Sequence, residues 1–491
     1  MDRGAVGSGV RYEPTRESLR SHPVPGWYED AKLGIFIHWS VSSVPAFAPR
    51  GGIEAIFAGE AEQGESPYSE WYWNSLKLPG SAVQRHHREV YGERSYASFA
   101  DDYRRGLEQW EPASWAEHFA GCGARYVVLV SKHHDGFCLW PSRVSHPNPR
   151  WKGWHAGRDL VGELAAEVRA RGLRYGVYYS GGLDWSFDDR PLRGLVDVVA
   201  GMPGGPYPAY AAAQVRELVE RVAPDLLWND ISWPDVKEEL WKLIADYYNA
   251  VPEGVINDRW LTRGWWVPVA RFRPITRLLE ALVARQLRKQ GGLGAPPPPS
   301  VYDYRTPEYT SFAEIQDRKW ECVRGIDKSF GYNRNSRPED FLGREDLIHS
   351  FVDIVSKNGN LLLNVGPRGE DAQIPEIQLE RLRWLGGFLG AQGEAIYATR
   401  PWHRAEGTTR EGLPLRFTRR GEQLYAILLG TPESPQITLV DVPVAEPAGV
   451  RQLGVDARPR VRREGGGDLR LEIQGGWPDQ PAHAFALGPV A

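Results

Sequence analysis

A chain of 491 residues exceeds one compact core of ordinary size, and 42% hydrophobic with 25% charged side chains suits a soluble globular enzyme. Its 59 basic and 63 acidic side chains leave −4 at neutral pH and a pI near 6.3. That balance gives no electrostatic reason to expect nucleic acid or an anionic membrane as the main partner.

Up to about residue 390, short apolar runs alternate with helical patterns. In chain order the strand candidates are KLGIFIHW (32–39), RYVVLVSKHH (125–134), LRYGVYYS (173–180), PDLLWND (224–230) and GVINDRW (254–260). A run within KWECVRGIDKSFGY (319–332) and NGNLLLNVGP (358–367) follow. Between them, DLVGELAAEVRARG (159–172) spaces its apolar residues by three and four, with Asp159 as expected N-cap and Gly172 as expected C-cap. This rhythm predicts an α/β fold with a mainly parallel sheet. A closed (β/α)8-like, TIM-type barrel is favoured over an open sheet because nearly every strand ends on polar or aromatic residues, which a barrel gathers at one face. No glycine-rich dinucleotide turn follows the first strand. After about 396, short strands such as QITLVDVPV and DLRLEIQ, separated by Gly, Pro and charged turns, predict a small β-sandwich. The expected division is a catalytic barrel over 1–395 and a sandwich over 396–491.

The chemistry gathers at the strand ends. His38 ends one strand, and the pair His133 and His134 ends another. A lone strand-end histidine is more often structural; three at one barrel mouth are harder to explain that way. No H-x-H, H-E-x-x-H or helical pair is present, so hydrogen bonding to ligand hydroxyls suits them better than a metal. Adjacent residues of a regular strand face opposite ways, so His133 and His134 share a pocket only if the strand bends. Twenty Trp, against 21 Tyr and 15 Phe, supply core packing and also flat surfaces on which sugar rings stack.

PDLLWNDISWPD, residues 224–235, runs a buried strand into a carboxylate. With a period of two, Trp228 and Asp230 share a face. Asp235 is the better expected cap for the next helix, which leaves Asp230 without a structural role. Glycosidic hydrolysis usually needs two carboxyl groups. Glu321, bracketed by Trp320 and Cys322-Val323, has the apolar surroundings that disfavour ionisation and suit a general acid. An ion pair with Lys319 or Arg324 is the structural alternative.

With FIHW, SEWY, KHHDGFCLW, GVYYSGGLDW, PDLLWND, KWE, SFGYNR and LLLNVGP occurring in order, the chain resembles the α-L-fucosidases of glycoside hydrolase family 29 over most of its length. The resemblance implies a barrel followed by a sandwich, and retaining, exo-acting hydrolysis of terminal α-L-fucosyl residues from oligosaccharides or glycoconjugates. It implies Asp230 as nucleophile and Glu321 as acid/base. His38, Glu70, Trp71, His133, His134, Tyr178, Trp228 and Trp320 are expected to bind the fucose. No cofactor or metal is implied.

Residues 261–300 depart from the family pattern as an insertion. Just after it, Arg305 and Glu308 could reach the sugar, and Glu308 or Glu70 is the alternative acid, but the register across the insertion assigns neither Arg305 nor Glu308 a role. The insertion's end, GGLGAPPPPS, reads as a connector. Its middle, ITRLLEALVARQLRKQ, carries an apolar stripe of Ile275, Leu278, Leu279, Leu282, Val283 and Leu287. The stripe is expected to pack on the barrel or on a second copy of the chain, making a homo-oligomer the candidate protein partner; a membrane-surface helix is the other reading. Two rival functions are a fucose-binding protein without catalysis and a metal-dependent hydrolase using His133 and His134. The three scattered cysteines argue against a disulfide framework, the start MDRGAVGSGVRYEPTRES has no apolar signal region, and no run approaches the ~18 apolar residues of a membrane helix. A cytoplasmic protein is expected.

Overall fold

The apolar runs form seven parallel strands in the computed structural model of the chain: β1 (Leu33–Ile37), β2 (Tyr126–Lys132), β3 (Arg174–Ser180), β4 (Leu226–Asp230), β5 (Val255–Ile256), β6 (Trp320–Gly325) and β7 (Gly359–Val365). The structure describes residues 11–51, 53, 56, 61–264, 266–290, 298–442, 445 and 449–489. The first ten residues and most of the 291–300 connector lie outside them.

The strand order is β5-β4-β3-β2-β1-β7-β6, with every neighbouring pair parallel. Nearly every strand residue is buried, as expected for a sheet covered on both faces. Helices α1 (Pro112–Gly121), α2 (Leu160–Ala170), α3 (Leu195–Ala200), α4 (Tyr207–Val222), α5 (Lys237–Ala250), α6 (Arg273–Gln290), α7 (Arg344–Ser356) and α8 (Glu376–Gln392) follow in order. In α2 the Asp159 carboxylate accepts Gly162 N–H at 3.0 Å, and Gly172 at φ 75° ends the turn, as its sequence signals. The Asp235 expectation fails: Val236 holds the N-cap position of α5 with no side-chain capping bond, and among the described residues the Asp235 carboxylate accepts only the N–H of Val236.

Among the described residues the eighth position of the barrel holds no regular strand. An irregular extended segment, 303–309, runs there between the edge strands β5 and β6. Asp303 N–H donates to Ile256 O on one side, while Glu321 N–H donates to Arg305 O, Val323 N–H to Pro307 O and Tyr309 N–H to Val323 O on the other. This segment closes the curled sheet and carries Glu308 toward the mouth.

The C-terminal region is antiparallel from Arg400 onward: β8 (Arg400–Thr408), β9 (Pro414–Arg420), β10 (Gln423–Leu429), β11 (Gln436–Leu439), β12 (Arg451–Gln452), β13 (Arg460–Arg463), β14 (Leu469–Glu472) and β15 (Ala482–Gly488). Five of these strands (β12-β15-β10-β9-β8) face three (β11-β14-β13) across a core of Phe417, Leu428, Leu439, Leu471 and Phe485. The other face of the larger sheet packs on the barrel, where Tyr425, Ile427 and Ala484 join the main core. Buried Gln392, at the end of α8, clasps this junction: its amide donates to Ala482 O at 2.7 Å and accepts from Ala484 N–H at 2.5 Å. Gln392→Leu leaves both buried backbone groups unpaired, which should cost about 2–4 kcal/mol. We expect a lower thermal unfolding midpoint for this variant; an unchanged midpoint would mean that the clasp contributes nothing to stability.

Candidate active site

Asp230 is the last residue of β4, and its position is over-determined. Oδ2 accepts the Tyr178 hydroxyl at 2.8 Å; Oδ1 accepts Arg259 Nη1 and the N–H of Ile231, both at 2.9 Å. Ile231 and Ser232 lie at φ 55° and 73°, left-handed conformations that are costly for a β-branched residue such as Ile231. That turn folds the Ile231 N–H back onto the carboxylate. Gly182 makes room for it: a Cβ there would lie 1.6 Å from the Ile231 carbonyl oxygen.

The wall beneath is aromatic. Tyr178 and Trp228 are register partners on β3 and β4, and their rings stack 5.6 Å apart at 22°. Phe36 and Phe330 approach His38 at 4.6 and 5.0 Å between ring centres, adding an apolar side. His133 lies 5.7 Å from Tyr178 and nearly parallel to it. The β2 strand bends as required: its register with β3 shifts between Val130 and Lys132, and the chain turns at Gly136, φ 74°. His133 and His134 therefore share the site, 4.0 Å apart.

All three histidines are buried, and burial lowers their pKa values, His38 to about 4. Near neutral pH each is an uncharged imidazole with one donor and one acceptor. Nδ1 of His38 faces Asn364 Oδ1 at 2.6 Å and Nδ1 of His134 faces Ser180 Oγ at 2.7 Å, whereas buried Nδ1 of His133 has no partner among the described residues. Among the described residues no three His, Cys, Asp or Glu side chains are grouped so as to hold a metal ion.

Glu70 and Trp71 reach the site from the long β1–β2 connection. Trp71 sits edge-on to His134 at 5.1 Å. Glu70 is buried, accepts Gly331 N–H at 2.8 Å, and is pushed up to about 8, chiefly by burial and further by the nearby carboxylates Asp327 and Glu308. It is therefore protonated at neutral pH.

Glu321 and Trp320 do not belong to the mouth. Glu321 is the second residue of β6, level with Asn360 at the start of β7, and is 0% exposed. Its Oε2 accepts Tyr126 OH at 2.6 Å and Tyr28 OH at 3.0 Å; its Oε1 accepts Trp228 Nε1 at 3.0 Å. Burial raises it to about 7, against these hydrogen bonds. Neither Lys319 nor Arg324 forms an ion pair with it among the described residues; Lys319 acts only as a nearby charge. A carboxyl enclosed on the barrel floor cannot reach a departing group. Trp320 packs against Phe312 and donates to Lys357 O, also away from the site.

The second carboxyl at the mouth is Glu308. Arg259 Nη2 lies 2.6 Å from Glu308 Oε1, so one guanidinium bridges Glu308 and Asp230. The Glu308 side chain is 20% exposed and accepts Tyr68 OH at 3.3 Å. The sequence offers it only as a residue that could reach the sugar, without a role, because its position directly after the insertion leaves its register open. Arg259 was visible only as a polar strand end.

A family model described as alpha-L-fucosidase matches residues 3–269 and 285–394. Human tissue alpha-L-fucosidase is 33% identical over 463 residues, covering 91% of this chain and 84% of that protein. The bovine tissue enzyme is likewise 33% identical, over 91% of this chain and 83% of its own length. Among solved structures, Thermotoga maritima alpha-fucosidase in complex with a mechanism-based inhibitor is 39% identical with a TM-score of 0.80, covering 97% of this chain and 100% of that one.

Because Gly182 leaves no room for a side chain, Gly182→Ala must displace the Ile231 carbonyl and with it the Asp230 carboxylate. Turnover should fall by roughly two orders of magnitude, the scale on which an ångström of misplacement acts. Near-normal kcat in a folded Gly182→Ala enzyme would show that the turn does not hold the carboxylate.

Proposed function

The chain belongs to the α-L-fucosidase family and is a glycosidase, and from that premise we propose retaining, exo-acting release of terminal α-L-fucosyl residues, with Asp230 as nucleophile and Glu308 as acid/base. The observation that carries the pairing is the Arg259 guanidinium held between the two carboxylates. One guanidinium's width suits the ~5–5.5 Å separation needed for direct attack and fits a solvent molecule between them poorly. In the first step Asp230 Oδ bonds to the anomeric carbon as the glycosidic bond breaks, and Glu308 gives its proton to the departing oxygen. In the second, Glu308 takes a proton from water, which attacks the same carbon and frees Asp230.

Around the sugar, neutral His38, His133 and His134 offer donors and acceptors to hydroxyls. Protonated Glu70 offers a further donor. Phe36 and Phe330 form the side that a 6-deoxy methyl group fits, and Trp228 and Tyr178 lie beneath the ring. The fucose bound by the Thermotoga maritima enzyme, 40% identical with a TM-score of 0.78, supports this choice of sugar. Glu321 serves by holding the Trp228 indole from below. The three cysteines are free, separated and buried, which supports a reducing, cytoplasmic setting.

Four variants test these roles. Asp230→Ala should lose kcat by several orders of magnitude, and azide should restore turnover while giving a fucosyl azide of inverted configuration; near-normal activity excludes it as nucleophile. Glu308→Ala should impair substrates with poor leaving groups far more than activated aryl fucosides, with azide giving a product of retained configuration. Glu321→Gln should lower both substrate types equally. A leaving-group-dependent loss for Glu321→Gln, and none for Glu308→Ala, would return the acid to the floor. Glu70 is protonated below about pH 8 and ionised above it, so KM should rise as pH passes 8. Glu70→Gln stays neutral and should flatten that rise; a rise that persists removes Glu70 as the donor.

A further inference from the structure

The family model breaks between residues 269 and 285, within the insertion. Helix α6 of that segment divides its apolar residues between two faces. Leu279 and Val283 pack on α3 with Ala270, Val196 and Ala200. On the same side the Glu280 carboxylate accepts the N–H groups of Val196 and Asp197, at 2.8 and 3.1 Å. Arg271 donates to Ala200 O at 3.0 Å and Met202 O at 2.5 Å. The helix is thus fixed to the connection leaving β3, on the catalytic side of the barrel.

The other face has no partner among the described residues. Phe272, Leu278 and Leu282 are 64%, 61% and 53% exposed, and six of the eight large apolar side chains left exposed among the described residues fall between Leu261 and Leu282. Exposed Arg273, Arg277 and Arg285 flank them. From 261 to 290 the sequence holds six Arg and one Lys against the single Glu280, which is already engaged, in a chain of net charge −4.

We propose that this face docks on the surface of an anionic lipid bilayer. Two-fold pairing with a second copy would bury the apolar stripe only by bringing two arginine-rich flanks together without a carboxylate between them. A head-to-tail contact finds no matching apolar patch, since Val90 and Val236 are the only other exposed large apolar side chains among the described residues. An anionic bilayer satisfies both features: apolar side chains enter the acyl boundary and guanidinium groups meet lipid phosphates. The attachment is peripheral, because no helix among the described residues is long and apolar enough to cross a membrane.

Co-sedimentation with phosphatidylcholine vesicles, with and without about one third phosphatidylglycerol, reads this independently of catalysis. Wild type should partition to the anionic vesicles, and added salt should release it. Phe272→Ser, Leu278→Ser and Leu282→Ser together should lower partitioning at least tenfold. Arg273→Gln, Arg277→Gln and Arg285→Gln together should lower it by about fivefold per arginine. Both variants should hydrolyse a small aryl fucoside at the wild-type rate, which verifies folding. Absence of wild-type partitioning, or partitioning that ignores either set of substitutions, overturns the proposal. So does a wild-type dimer, by light scattering, that becomes monomeric in the apolar variant, since the face would then be a self-interface.

Discussion

The arrangement of the mouth depends on Arg259. Its guanidinium stands over the Trp228 ring at 4.6 Å and pairs with Asp230 on one nitrogen and Glu308 on another. It also grips the closing segment, donating from Nε to Thr306 Oγ1 and from Nη2 to Thr306 O, each at 3.1 Å. Two carboxylates brought this close repel each other, and a half-buried cation between them removes that penalty. The same cation joins the sheet's irregular eighth position to its fourth strand, so closure of the barrel and spacing of the carboxylates are one electrostatic event.

Below this layer a buried polar column continues to the floor. Trp228 hands its indole N–H to Glu321, which also receives the hydroxyls of Tyr28 and Tyr126. A carboxyl in such a place is tolerable only with its oxygens satisfied, and here three donors satisfy them. The column has a consequence for rigidity. Trp228 cannot tilt without leaving a buried carboxyl short of a donor, so the surface under the sugar is fixed from beneath as well as by stacking on Tyr178.

The strands were legible because covered parallel strands are nearly continuous apolar runs, and Asp230 was legible because a carboxylate ending such a run has few structural uses. Glu70, Trp71, His38, His133, His134, Tyr178 and Trp228 do come together. That His133 and His134 share a pocket rests on a register shift in β2, which the residues on either side do not announce. Glu321 misled for a physical reason: an apolar bracket raises a carboxyl's pKa in the same way on a barrel floor as in a catalytic cleft. Its place near the start of its strand, rather than the end, was the distinguishing sign. Glu308 could be named as within reach of the sugar but given no role, because the segment that carries it follows an insertion and has no strand period to fix its register.

The irregular eighth position gives the two carboxylates unequal mechanical footing. Asp230 is set by strand register, and a one-residue slip would reverse its direction. Glu308 rides on a stretch pinned by a handful of backbone bonds and by Arg259, with chain of adjustable length leading into it. Changes in that leading chain can relocate one carboxylate by fractions of an ångström while the other stays anchored. Such a barrel can retune how it meets different departing groups, generation by generation, without rebuilding the part that holds the sugar.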